Sequence, residues 1–217
     1  MRFAASLQRI ARGRKTTMTL TEIYEDLWRS LADALDGPTS AMRLPVVATV
    51  SAHGKPQART MVLRDVDLEA GRLMFFSDAR GGKLDDLSST PEAQLVFFHP
   101  VKQLQLRVSG AVSQLPADQV EGIWSALPVE LKVLYGAQPA PGFKVDIASS
   151  GLSKGLFDET LRELDRQELA EKGAQNFAVF YVKALQIEWL LLTTDGNRAA
   201  RFELENGDLK AANWRIP

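Results

Sequence analysis

Apolar residues first recur at helical spacing. Ile23, Leu27, Leu31 and Leu35 stand four apart, and Tyr24 and Trp28 widen the same face, which predicts an amphipathic helix. Thr19-Leu20-Thr21-Glu22 fits a capping box at its start, and Gly37-Pro38 is a stop signal at its end. From Leu44 to Val112 the period shortens to that of strands. Pro45–Ser51 reads as a strand, His53-Gly54 as a turn, and Gln57–Arg64 as the returning strand, with Asp65–Gly71 as a longer connection. Leu73–Ser77 follows, then a short helix over Gly82–Ser89 that ends before Pro91, then strands Ala93–His99 and Lys102–Val112. In the last of these, Leu104, Leu106, Val108 and Gly110 share one face, and Gln103, Gln105, Arg107 and Ser109 the other. That second face is open to three readings: solvent, a ligand or a subunit interface.

Beyond Val112 helical spacing returns. Pro116–Leu127 places Val120, Ile123, Trp124 and Leu127 on one side, and Pro128 opens a second helical stretch through Tyr135. Residues 136–155 are rich in Gly, Pro, Ala and Ser, a long loop of the kind that serves as a lid or a partner contact. Phe157–Leu169 is again amphipathic. Phe177–Leu192 is rich in strand formers, Asp195-Gly196 is a turn, and Arg201–Leu204 is set to pair with Asp208–Ala211 across Asn206-Gly207. Strands with short connections and one inserted helix predict a mainly β fold, an antiparallel barrel with peripheral helices, rather than a parallel α/β sheet.

Composition narrows the function. The 217 residues are 45% hydrophobic and 24% charged, enough for a packed core. There is no cysteine and only His53 and His99, so disulfides, thiolate metal sites and His-rich metal centres are excluded. His53 suits a turn beside Gly54, and His99 the end of a strand before Pro100. The net charge of −1 gives no general case for nucleic acid. No apolar run approaches the roughly 20 residues that span a bilayer, so neither membrane nor nucleic acid is expected as a partner. Residues 1–17 carry +5 against −6 for the remainder. This acid-free start reads either as a targeting peptide or as an untethered extension, and it lacks the apolar core of a secretory signal. The expected organisation is a basic extension over 1–18 and one domain over 19–217, in the cytoplasm.

Candidate chemistry gathers between Arg59 and Lys83. Arg59, Arg64, Arg80 and Lys83 lie within twenty-five residues, tied to strand ends. Ser77 can donate to a phosphate oxygen, and Gly81-Gly82 allows close backbone approach. Lys83 falls at a helix start, where a cation is unfavourable unless an anion is near. Arg59 and Arg64 are five apart and on a flat strand point to opposite faces, so serving one ligand requires a bulge or a break. The competing reading is that both are rim residues in surface ion pairs. No Walker loop, G-x-G-x-x-G or G-x-S-x-G motif occurs. Trp189 reads more readily as core than as a ligand contact.

With these residues in view, the chain resembles the pyridoxamine 5′-phosphate oxidase family, in its branch of related FMN-binding split-barrel proteins. The resemblance covers about residues 20–217 and is clearest over 44–112. Arg59-Thr60-Met61-Val62-Leu63-Arg64 is similar to the family's Arg-x-Val-Leu-Leu-Lys strand, which binds FMN. Phe76-Ser77 stands where the family has Tyr-Thr, and Asp78-Ala79-Arg80-Gly81-Gly82-Lys83 resembles its Ser-Arg-Lys phosphate loop. Gln105, in Gln-Leu-Arg-Val-Ser-Gly, matches a flavin-directed glutamine. Trp189 and Arg201 resemble a Trp and an Arg that approach the flavin from the partner subunit, and Trp214 is similar to a closing Trp.

The resemblance implies a split β-barrel homodimer with FMN at its interface. Arg59, Arg64 and Lys83 would neutralise the FMN phosphate, with Ser77 hydrogen-bonding it and Arg80 assisting. The backbone of Met61, Val62 and Leu63 would line the isoalloxazine. The departures are Gly82 for an Arg, Arg64 for a Lys, and Asn197-Arg198-Ala199-Ala200-Arg201 where the family's substrate-gripping Arg-x-His is expected. The closing residues read Arg215-Ile216-Pro217 rather than Arg-Leu-Ala-Pro. No side chain reads as a catalytic acid or base and none as a metal ligand. The implied function is an FMN-dependent oxidoreductase acting on a small molecule other than pyridoxamine phosphate, and the alternative is a flavin carrier or sensor.

Overall fold

The computed structural model describes residues 18–37, 39–152 and 163–217. The basic stretch 1–17 and the first half of the expected Phe157–Leu169 helix lie outside them. The first helix of the described residues is α1 (Leu20–Asp33), and its capping box is formed. The Glu22 amide donates to Thr19 Oγ1 at 3.2 Å, and the Thr19 amide donates to Glu22 Oε2 at 2.7 Å. Ile23, Leu27, Trp28 and Leu31 are buried against the sheet. Thr19→Ala removes the cap and is expected to lower the melting midpoint by about 3 °C, whereas Thr19→Ser keeps it. Thermal unfolding followed by far-UV circular dichroism checks this, and equal midpoints for the two variants would contradict it.

Among the described residues nine strands form one antiparallel sheet. They are β1 (Val46–Val50), β2 (Pro56–Thr60), β3 (Leu63–Asp67), β4 (Arg72–Asp78), β5 (Glu92–His99), β6 (Leu104–Gln114), β7 (Phe177–Leu191), β8 (Arg198–Glu205) and β9 (Asp208–Arg215). The main path runs β2-β1-β5-β6-β7-β4-β3, and β8 and β9 extend from the second half of β7. The sheet does not close, because β2 and β3 stand at the two ends of that path. This is the split of the barrel, and the chain crosses it at Met61-Val62.

That crossing corrects one expectation. Gln57–Arg64 is not one strand: Pro56–Thr60 pairs with β1, and Leu63–Asp67 pairs with β4. The connection to β4 is correspondingly short, a turn over Leu68–Gly71. Leu63 and Asp65 lie opposite Phe75 and Met74, so the register shifts at Arg64, which sits in a bulge. A break and a bulge do fall between Arg59 and Arg64, but they do not bring the two together, since Arg64 ends over the Phe76 ring.

The long strands β6 and β7 form the spine. Leu104, Leu106, Val108 and Gly110 face inward as their alternation predicts. The ladder slips between Ser109 and Gly110, which pair with Gln186 and Ala184 and pass over Leu185. Gly110 is required there, since a Cβ at this position would stand 2.3 Å from the Lys183 carbonyl oxygen. Phe75, Phe97, Phe180 and Phe202 are fully buried in the main core. A second, smaller cluster covers the other face of β4, with Met74, Phe177 and Val179 under Phe76, Trp124 and Tyr135.

Four helices complete the described chain besides short 3₁₀ turns. Helix α2 (Gly82–Ser89) follows β4, and α3 (Ala117–Ala126) and α4 (Val129–Lys132) follow β6. Helix α5 spans Glu163–Ala174, so helical structure runs past the expected end at Leu169. The hairpin across Asn206-Gly207 is longer than predicted, and its turn packs on the β3–β4 turn. A Cβ on Gly207 would lie 2.5 Å from the Glu69 carbonyl oxygen, and its φ is +96°. Among the described residues no helix is long and apolar enough to cross a membrane.

Candidate functional site

β4 alternates Leu73, Phe75 and Ser77 toward the main core with Met74 and Phe76 toward the second cluster. Its end therefore presents two different faces. On the core side Ser77 is buried, and α2 begins just beyond it with Gly81 as an N-cap that makes no side-chain cap. Lys83, in the first turn, folds back so that Nζ donates to Ser77 Oγ at 2.8 Å. Arg59 reaches the same place from β2. Its Nη1 donates to Thr49 Oγ1 at 2.7 Å and to the Val47 carbonyl at 3.3 Å, and its Nη2 stands 3.7 Å from Asp86 Oδ2.

Burial is the main influence on both cations. It depresses the Lys83 ammonium, the positive charge of Arg59 depresses it further, and Asp78 works the other way. Burial likewise lowers Arg59, against a smaller opposing effect of Asp86. A group whose charged form is held below its ordinary range by burial and by a like charge is one that an incoming anion would restore.

The other predicted cations go elsewhere. Arg80 was expected to assist at the phosphate. Its Nε and Nη2 instead donate to the two oxygens of Asp78 at 3.0 and 2.7 Å, and its Nη1 donates to the Ala137 carbonyl at 3.0 Å. It thus ties the loop after β4 to the start of the 136–155 segment, and its guanidinium is raised chiefly by the Asp78 hydrogen bond. Arg64, in the bulge, lies on the opposite face of β4 from Ser77, with its guanidinium 5.0 Å from the Phe76 ring centre. Its Nε is buried without a hydrogen-bond partner. Burial lowers Arg64, Tyr135 opposes that, and Arg43 adds to it. The Tyr135 phenol is pushed up to about 12 by burial, so it remains a neutral donor.

The remaining predicted residues occupy other parts of the sheet. Thr60 is exposed at the end of β2, opposite Val46. Met61 and Leu63 are buried and Val62 lies between the two strands, with the Met61 amide donating to the Pro45 carbonyl at 3.0 Å. Gln105 is half-buried on the polar face of β6, beside Phe98 and Leu190. Trp189 is buried in the main core with its ring edge-on to Trp214, in keeping with the core reading. Arg201 donates from Nη2 to Glu188 Oε1 at 2.8 Å, and Arg107 bonds the other oxygen of the same carboxylate. Among the described residues, then, one chain gathers Arg59, Ser77 and Lys83, sets Arg64 with Phe76 behind them, and holds Gln105, Trp189 and Arg201 apart. No cluster of metal ligands is found among those residues.

Sequence reasoning passed over Thr49, Asp86, Tyr135 and Glu188. Asp86 was accessible in principle, since Lys83 and Asp86 are three apart on one helix face. Thr49, Tyr135 and Glu188 act through strand pairing or long-range folding and leave no local signal.

Comparison with known proteins fits this geometry. Residues 25–115 match the family described as pyridoxamine 5′-phosphate oxidase, FMN-binding domain. The chain is 33% identical over 108 residues to a pyridoxine/pyridoxamine 5′-phosphate oxidase of Bordetella avium, covering 49% of each chain. It is 30% identical over 138 residues to the enzyme of that name from Pseudomonas paraeruginosa, covering 61% of this chain and 62% of the relative. It thus spans about half to three fifths of the curated relatives it matches.

Among solved structures, a pyridoxamine 5′-phosphate oxidase-related, FMN binding protein of Nostoc punctiforme superposes with a TM-score of 0.68 at 20% identity, over 92% of this chain and 100% of the other. PhzG of Burkholderia lata, solved with tetrahydrophenazine-1-carboxylic acid, gives 0.62 at 15% identity, over 90% and 91%. The cofactor of the matched domain is FMN, and the residues present fit its phosphate, because Arg59 on β2 and Lys83 in the first turn of α2 are half-buried cations whose charged forms an anion would favour. Residues 25–115 of the chain thus match the FMN-binding domain of the pyridoxamine 5′-phosphate oxidases, and its fold is the split barrel of the FMN binding protein of Nostoc punctiforme.

Proposed function

We propose that this protein is an FMN-dependent oxidoreductase that works as a homodimer, with FMN at the interface, on a small molecule other than pyridoxamine 5′-phosphate. The observation that carries the reading is the meeting of Arg59 and Lys83 beside Ser77 at the start of α2. Arg59, Lys83 and Ser77 would hold the phosphate, with guanidinium and ammonium supplying charge-assisted hydrogen bonds. When bound, FMN supplies hydride acceptance and the return of electrons to an acceptor. The residues of this chain bind and orient. The Met61–Leu63 segment would face the ring system, and Gln105 and Arg201 would reach it from the partner subunit or its own. On the other face of β4, Arg64 beside Tyr135 offers a second point for an anionic group. The segment Asn197–Arg201 contains no histidine, which supports a substrate other than the vitamin phosphate.

Purified protein is expected to show flavin absorbance near ~370 and ~450 nm and to release FMN on heating, as the cofactor's chemistry requires. A colourless protein that also fails to take up added FMN overturns the reading. Light scattering on the eluted holoprotein should give twice the chain mass, and a monomer that holds FMN tightly would sink the interface placement. Reduction of the bound flavin by NAD(P)H or an amine, with product formed, separates an enzyme from a carrier or sensor.

A further inference from the structure

We propose that Asp86 is the counter-ion that Arg59 gives up when the cradle takes a phosphate, and that it thereby limits how tightly the site holds FMN. The inference rests on the reading of Arg59, Ser77 and Lys83 as the phosphate site.

The geometry of Arg59 is asymmetric. One arm is fixed, because Nη1 donates to both Thr49 Oγ1 and the Val47 carbonyl on β1. The other arm, Nη2, faces Asp86 at 3.7 Å, beyond hydrogen-bond range. The pair is thus an ion pair without a hydrogen bond, in a place where both side chains are largely shielded, at 26% and 16% exposure. A guanidinium donates best in the plane of its fork at about 2.8 Å, so this arm is held near a charge but not satisfied by it. A phosphate oxygen accepting from Nη2 would make the stronger contact.

The charges around the cradle point the same way. Asp78 is neutralised by Arg80 through two hydrogen bonds. That leaves Arg59 and Lys83 against Asp86. A phosphate monoester carries a charge between about −1.5 and −2 at neutral pH. With Asp86 ionised, the site is one positive charge short of matching it. Asp86 therefore does two things. It stabilises the ligand-free cradle, where two half-buried cations otherwise repel, and it repels the phosphate once bound. Its position on α2, three residues after Lys83, keeps it on the face turned toward Arg59. Asp85, the adjacent acid, is exposed and serves as the internal comparison.

The test is the affinity of the full-length protein for FMN and for riboflavin, which lacks the phosphate, by quenching of flavin fluorescence. Asp86→Asn keeps the shape and removes the charge. It is expected to tighten FMN by about 10-fold at low salt, to narrow that gain as salt rises, and to leave riboflavin within about twofold. Asp85→Asn is expected to change FMN by less than about twofold. Thermal melts of the apoproteins should place Asp86→Asn below wild type and Asp85→Asn level with it, and Asp86→Ala gives a second route should the amide perturb α2.

If wild type binds FMN but neither Asp86 variant binds it more tightly, the inference is overturned and the phosphate reading stands. A gain equal for riboflavin and FMN also overturns it, since the effect would not act on the phosphate. If no form of the protein binds FMN, the phosphate reading fails and this inference fails with it.

Discussion

Gly110→Ala is expected to cost about 3 kcal/mol of folding stability, at the upper end for overpacking a well-ordered site. The added Cβ would lie 2.3 Å from the Lys183 carbonyl oxygen and 2.8 Å from a methyl of Val182. Neither neighbour can yield cheaply. Lys183 lies on β7, which pairs with β4 on one side and β6 on the other, so moving its carbonyl disturbs two ladders. Gly110 also sits where the β6–β7 register slips past Leu185, so relief would pull against the bulge that bends the spine of the sheet. The matched control is Gly122→Ala in α3, where nothing stands within 4 Å of an added Cβ. That change is expected to stabilise by up to about 1 kcal/mol, from helix propensity alone. Urea unfolding of both variants measures the contrast. A Gly110→Ala variant as stable as wild type would mean that β6 and β7 have more slack than their spacing shows.

Residues whose structure is set locally were readable in the sequence. Helix α1 announced itself through Thr19 and Glu22 and the four-residue spacing of its buried leucines. The inward set of β6 followed from its alternation, and Asn206-Gly207 marked its hairpin. The break at Met61-Val62 was hidden for a physical reason. Met61 and Leu63 are both buried, so the period of two runs unbroken through a point where the strand changes partner from β1 to β4. Periodicity reports which face is buried and not which neighbour is hydrogen-bonded.

The candidate site divides in the same way. Lys83 at a helix start and Ser77 at a strand end were visible locally. The diversion of Arg80 was half visible, since Asp78 precedes it by two residues, but its carbonyl partners at Tyr135 and Ala137 lie far along the chain. Pairing Glu188 with Arg107 and Arg201 required the register of three strands. The separation of Arg64 from Ser77 required the bulge, and it alters what each cation should do.

Arg59→Ala should weaken FMN by about 1.5–3 kcal/mol, roughly 10- to 150-fold, the range for a hydrogen bond to a charged group. The basis is the shielded position of Arg59 between β1 and α2 and its fixed Nη1 arm, which orients Nη2 before any ligand arrives. Orientation in advance means little side-chain entropy is lost on binding. Arg59→Lys tests that point. An ammonium keeps the charge but cannot hold Thr49 and a phosphate oxygen as a rigid fork, so an intermediate loss is expected. Riboflavin affinity should change little in either variant. Arg64→Ala should weaken FMN less than Arg59→Ala does, because its guanidinium lies over Phe76 on the other face of β4. Fluorescence titrations of the three variants order these effects. If Arg59→Ala binds FMN as wild type does, Arg59 and Asp86 are a surface ion pair of little consequence. If Arg64→Ala carries the larger loss, the phosphate lies on the Phe76 side of the strand, and Lys83 and Ser77 are a structural contact that seats the first turn of α2.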